Sequence, residues 1–222
     1  MHTLPLQIRD GHVFIRIEDD QFLLDTGAPT SFGSSESLSI AGQQFPLKTG
    51  YMGLTADTLS EYVGGRTNGL LGADILNLFD LVLDSPGATA TFSTEELKCD
   101  GEVVPLEVFM GIPIISAQIG SATCRMFFDT GAQISYLQDD LLTNYPSAGQ
   151  VTDFYPGFGQ FQTDTHAVDV RLGKSSFTVR CGSLPTLLGM TLMMAGTNGV
   201  LGNEVLQGRR AGYFPRRKRL VL

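Results

Sequence analysis

Short apolar runs alternate with clusters of Gly, Pro, Asp and Ser along the whole chain, the pattern of many strands joined by tight turns. Residues 12–18 and 21–24 read as a hairpin turning at Asp19-Asp20. Residues 37–40 and 44–47 read as a second, turning at Ala41-Gly42-Gln43, and 81–83 with 89–92 as a third, closed by Ser85-Pro86-Gly87. Two stretches depart from the strand period. Residues 55–63 have helical spacing, with Thr55 as N-cap and Gly64-Gly65 as the stop, and 73–79 read as a short helix. Farther on, 103–108, 112–119 and 124–128 read as strands, and 168–172 pairs with 177–181 across Gly173-Lys174-Ser175. The fold class this predicts is all-β.

The pattern repeats itself. Leu4-Pro5-Leu6 answers Val104-Pro105-Leu106, and Phe22-Leu23-Leu24-Asp25-Thr26-Gly27-Ala28 answers Met126-Phe127-Phe128-Asp129-Thr130-Gly131-Ala132. Thr67-Asn68-Gly69-Leu70-Leu71-Gly72-Ala73-Asp74 answers Thr197-Asn198-Gly199-Val200-Leu201-Gly202-Asn203-Glu204. Three matched blocks in one order predict a duplicated lobe: 1–95, a linker at 96–102, and 103–222. The blocks are 100, 104 and 130 residues apart, so the second copy carries about 26 extra residues between its last two blocks. That insertion falls near 145–166. Its aromatics flank Pro156-Gly157-Phe158-Gly159, which predicts a long hairpin with a mobile tip.

Composition narrows the function classes. With 222 residues, 42% hydrophobic and 17% charged, the chain has material for a sizeable core. A net charge of −8 argues against a nucleic-acid partner. Three cysteines, Cys99, Cys124 and Cys181, match no zinc spacing and read as free thiols. Residues 1–13 hold no signal-peptide pattern and no apolar run reaches membrane-spanning length, so a soluble, cytoplasmic protein without a membrane partner is expected. His2, His12 and His166 have no ligand spacing and read as surface. No metal and no cofactor is called for.

The chemistry sits where each apolar run stops at an Asp. Thr-Gly after it forces a tight turn that leaves the carboxylate at the strand's end. Two such carboxylates set face to face cannot both ionise, so they share one proton, and the pair becomes an acid and a base. A water between them can be deprotonated as it attacks a carbonyl. Gly27 and Gly131 allow backbone N–H groups to approach the carboxylates, Thr26 and Thr130 can bond to the opposite lobe, and Leu71-Gly72 and Leu201-Gly202 can support the two loops from beneath.

With those residues in place, the chain resembles the aspartic proteases of the pepsin and retropepsin type: two apolar residues then Asp-Thr-Gly-Ala, and later two apolar residues then Gly, each twice over nearly the whole chain. The resemblance implies a bilobal fold with pseudo-two-fold symmetry and an active-site cleft between the lobes. It implies peptide-bond hydrolysis by Asp25 and Asp129, on a peptide or protein substrate bound extended under a flap. Thr26, Gly27, Ala28, Thr130, Gly131 and Ala132 are the expected loop residues, and Tyr155, Gly157, Phe158 and Gly159 the expected flap. A monomer is expected.

The departures are specific. The expected flap lies in the C-terminal lobe at about 150–166, with none or a short one in the N-terminal lobe, the reverse of pepsins. Ala73 and Asn203 stand where retroviral enzymes brace their dimer with Arg. Ala28 and Ala132 lack the hydroxyl that favours ionised carboxylate in pepsin-like enzymes, so activity is expected at about pH 5–7 rather than near 2. The alternative function is a catalytically silent peptide-binding or structural module on the same fold.

Other features have plainer readings. Asp74 and Glu204 suit helix starts. Met190, Met193 and Met194 at helical spacing read as core, or as pocket lining. The run Arg216-Arg217-Lys218-Arg219, with Arg209 and Arg210, reads as a solvated stretch or as a site for an acidic partner.

Overall fold

The computed structural model describes residues 1–183, 189 and 192–222. Strands dominate it, as the all-β reading requires. One sheet has ten strands in the order Val103–Pro105, Arg219–Val221, Arg210–Phe214, Asp80–Asp84, Thr89–Ser93, His2–Arg9, His12–Ile17, Asp20–Leu24, Gly69–Leu71, Phe32–Gly33. A second has eight: Glu107–Phe109, Ile112–Ile119, Ala122–Phe128, Gly199–Leu201, Ser135–Leu137, Ser175–Ser183, Gly159–Leu172, Ser147–Tyr155. Two further hairpins stand apart, Ser37–Ile40 with Gln43–Pro46, and Gly50–Tyr51 with Leu54–Thr55. Among the described residues no helix is long and apolar enough to cross a membrane.

Turn chemistry sets the register. Asp10-Gly11, Ala41-Gly42, Met52-Gly53 and Met110-Gly111 each close a hairpin with positive φ at both residues. That mirror-image turn matches the twist of the flanking strands, and Gly takes its second position without strain. The hairpin after His12–Ile17 turns at Glu18-Asp19, one residue earlier than expected, because Glu18 itself adopts a φ of 55°. The hairpin at 37–46 likewise needs only Ala41-Gly42, so Gln43 belongs to its second strand.

The helix Ala56–Tyr62 is capped by Thr55, whose Oγ1 accepts from the Thr58 N–H while the Thr58 Oγ1 accepts from the Thr55 N–H. The helix at Ala73 ends at Leu76, shorter than the pattern suggested. The inserted segment forms a long hairpin, Ser147–Tyr155 against Gly159–Leu172, with Tyr155 opposite Gly159.

The repeated blocks occupy equivalent places. Phe22, Leu23 and Leu24 run parallel to Gly69, Leu70 and Leu71, and Met126, Phe127 and Phe128 run parallel to Gly199, Val200 and Leu201. One apolar core contains residues from both copies, with Leu24, Leu71, Phe128 and Leu201 fully buried.

Three sequence readings are corrected here. His12 is buried rather than solvated, packed 6.1 Å from the Phe154 ring. Met193 and Met194 are 72% and 81% exposed, so they are not core; Met190 lies outside the described residues. The basic run is not wholly solvated, although Arg210, Lys218 and Arg219 are exposed. Arg216 and Arg217 both pair with Asp80, which is fully buried and also accepts from the Leu97 N–H at 3.0 Å. The same two guanidiniums bond to carbonyls of Thr94, Glu95 and Leu97, and so fasten the stretch after residue 93 to the sheet.

Candidate active site

Asp25 and Asp129 end equivalent strands and meet. Each backbone N–H donates to the carbonyl of the neighbouring parallel strand, Asp25 to Leu71 and Asp129 to Leu201, both at 2.9 Å. Each carboxylate then receives two N–H groups from its own turn. Asp25 Oδ1 accepts from Gly27 and Ala28 at 2.8 Å, and Asp129 Oδ1 accepts from Gly131 at 2.9 Å and Ala132 at 3.2 Å. The glycines are required by what faces them. A Cβ at Gly27 would lie 2.2 Å from Asp129 Oδ2, and one at Gly131 would lie 2.4 Å from Asp25 Cγ, so a side chain on either turn would collide with the opposite carboxylate.

The threonines join the turns reciprocally. Thr26 Oγ1 donates to the Phe128 carbonyl and Thr130 Oγ1 to the Leu24 carbonyl, both at 2.7 Å. Each hydroxyl in turn accepts the other threonine's backbone N–H at 3.0 Å. Beneath the turns, Ala28 and Ala132 carbonyls accept from the N–H groups of Ala73 and Asn203. Gly72 and Gly202 leave room for that approach: a Cβ would meet the Ala28 carbonyl oxygen at 2.7 Å and the Ile134 carbonyl oxygen at 2.4 Å. Asn203 Nδ2 also donates to the Gly11 carbonyl, tying the second turn to the first sheet.

The sequence reading missed Ser31 and Ser135. Their hydroxyls accept the N–H groups of Gly72 and Gly202, at 2.8 and 3.0 Å. The 104-residue spacing of the two Asp also separates these serines, which is the signal that could have found them. The same spacing sets Tyr136 against Phe32, and the added hydroxyl matters. Tyr136 donates it to Asp153 on the long hairpin, a contact between two buried side chains.

Burial and mutual proximity act on both dyad members. Burial, then the charge of Asp129, holds the Asp25 carboxyl well above the usual carboxylate range. Burial also raises Asp129, but the hydrogen bond from Asp25 and those from Gly131 and Ala132 oppose the rise. The pair therefore retains one proton well above the pH at which a free carboxyl loses it.

A cavity of about 320 Å³ opens above the two carboxylates. Tyr51 and Met52 of the short hairpin bound it on one side, and Phe154, Tyr155 and Pro156 of the long hairpin on the other. The hairpin tips approach each other: a Cβ on Gly157 would lie 3.2 Å from the Met52 methyl carbon. Of the residues expected at the flap, Tyr155 lines the cavity. Gly157 and Gly159 form the tip with positive φ, and Phe158 is 47% exposed, packed edge-on against Phe161. Compared with family models and with curated proteins, the chain matches none.

Proposed function

We propose that the chain is a single-chain aspartic endopeptidase with a bilobal pepsin/retropepsin-like fold, its lobes 1–95 and 103–222 related by a pseudo-two-fold axis. The observation that carries this reading is the reciprocal set of Thr26 and Thr130 hydrogen bonds that holds two carboxylates against each other beneath a cavity. A structural module has no need of two acids forced together, an arrangement that burial makes unfavourable.

In the proposed mechanism a water sits between the carboxylates. The ionised carboxylate of the pair accepts a proton from the water as the water oxygen bonds to the peptide carbonyl carbon. The protonated partner donates its proton to the carbonyl oxygen as negative charge develops there, which gives a neutral gem-diol. As the C–N bond breaks, one gem-diol hydroxyl returns its proton to the carboxylate that supplied it, and the proton taken from the water passes to the leaving amine. The peptide lies extended between the short and long hairpins, the long one supplying the flap through Tyr155, Gly157, Phe158 and Gly159.

The test uses the wild type, Asp25→Asn and Asp129→Asn against a diverse peptide library at about pH 3–8, with and without a statine-type inhibitor. The wild type should cleave, the inhibitor should block cleavage, and both variants should be inactive. Identical behaviour of all three proteins would overturn the reading and leave a silent peptide-binding module.

A further inference from the structure

The cavity wall beside the dyad carries a third carboxylate for which the proposed chemistry has no use. Asp153 lies on the first strand of the long hairpin, opposite Phe161, and lines the cavity while only 7% exposed. Its Oδ2 accepts the Tyr136 hydroxyl and its Oδ1 the N–H of Phe154 at 2.8 Å. The Gln133 side chain is a third hydrogen-bonding neighbour, so of the roughly four acceptor positions of a carboxylate about one remains open.

Nothing cationic completes it. No Lys or Arg is among the described residues that line the cavity. His12 packs behind the hairpin, but burial lowers its pKa and favours the neutral ring. Burial pushes the Asp153 carboxyl up against the opposing hydrogen bonds from Tyr136, Phe154 and Gln133 and the nearby His12 ring. Around it the wall is apolar or aromatic, with Tyr136, Phe161, Leu192 and Val200. Such a surface suits the methylene stem of a long basic side chain whose charged head reaches a polar partner.

We propose that Asp153 is a specificity residue, which takes the ammonium or guanidinium group of a lysine or arginine side chain in the bound peptide. The subsite lies on the Asp129 side of the dyad. Tyr136, which fixes Asp153, sits on the strand Ser135–Leu137 that pairs with Gly199–Leu201, and that strand runs beside Met126–Phe128 and leads to Asp129. The basic residue is thus adjacent to the scissile bond on one side only. This rests on the endopeptidase reading and names its substrate class: peptides with a basic residue next to the cleaved bond.

The test compares peptides that differ only by lysine or norleucine, which has the same stem without the ammonium, at each position flanking the scissile bond. At one position the wild type should prefer lysine in kcat/KM by about 10-fold or more, the scale of a charge-assisted hydrogen bond. Asp153→Asn should bring that ratio to about 1, and Asp153→Glu should retain a preference for lysine. A second arm measures binding of the same two peptides to Asp25→Asn, with and without Asp153→Asn, by calorimetry. Equal cleavage of both peptides by the wild type, or a preference that survives Asp153→Asn, overturns the specificity role while hydrolysis stands. If the wild type cleaves neither peptide, the endopeptidase reading falls and binding alone decides the subsite: a lysine preference lost with Asp153→Asn supports it, and equal or absent binding overturns it.

Discussion

Thr26→Val tests the joint between the two turns with a near-isosteric change. Valine keeps the shape and loses one donor and one acceptor, so the Phe128 carbonyl and the Thr130 N–H lose their partners together. Thr26 and Thr130 are each 1% exposed, which leaves water no route to replace the hydroxyl. An unsatisfied buried group costs about 1–3 kcal/mol, so the substitution should destabilise by about 2–6 kcal/mol. That is a large share of a typical net stability of about 5–15 kcal/mol.

Thr130→Val removes a different pair of bonds, those to the Leu24 carbonyl and from the Thr26 N–H, but the same number of them. The two variants should therefore lose stability equally, within about 1 kcal/mol. Urea unfolding read by fluorescence and circular dichroism gives both values, provided the slope with denaturant is unchanged. A loss below about 1 kcal/mol in either variant, or one variant silent while the other is severe, would refute the reciprocal arrangement.

Other outcomes follow from the same geometry. Gly27→Ala and Gly131→Ala should abolish peptide hydrolysis, because each methyl occupies space held by the opposite carboxylate; wild-type turnover in either would contradict the close approach. Asp25→Asn should stabilise the protein near neutral pH. The folded pKa of Asp25 is raised from 3.8, so its contribution is intact below that value and is lost as pH rises through the folded pKa. Thermal unfolding should thus show the variant above wild type at about pH 7 and the gap closing below about pH 4; a gap widening in acid would reverse the sign. Asp80→Asn removes the buried carboxylate that Arg216 and Arg217 share, leaves them their carbonyl partners, and should cost about 1–3 kcal/mol in chemical denaturation. A cost under about 1 kcal/mol would mean that water already screens the pair.

What could be read from the sequence was local or repeated. The turns announce themselves because Gly is the residue that tolerates their backbone, and the strand ends at Asp25 and Asp129 because an apolar run stops abruptly at a charge. Duplication did the rest, placing Leu71-Gly72 and Leu201-Gly202 at matching positions before any contact was known. Pairings that break the repeat were not readable. Asp153 meets Tyr136 only through the register of an inserted hairpin, and Asp80 meets Arg216 and Arg217 across more than a hundred residues. His12 looked like a surface residue because one polar ring in an apolar strand carries no sign of what packs over it, and here the cover is Phe154 of the insertion.

The order of the ten-stranded sheet also bears on how the chain is made. Asp80–Asp84 pairs on one side with Thr89–Ser93, which follows it closely, and on the other with Arg210–Phe214, more than a hundred residues later. Val103–Pro105 pairs with Arg219–Val221, later still. During translation, then, the apolar Leu81-Val82-Leu83 edge waits unpaired while more than a hundred further residues are added, and an open edge of that kind is a template for aggregation. Nascent chains from which residues 210–221 have not yet emerged are the vulnerable species, and emergence of those residues is the event that closes the sheet.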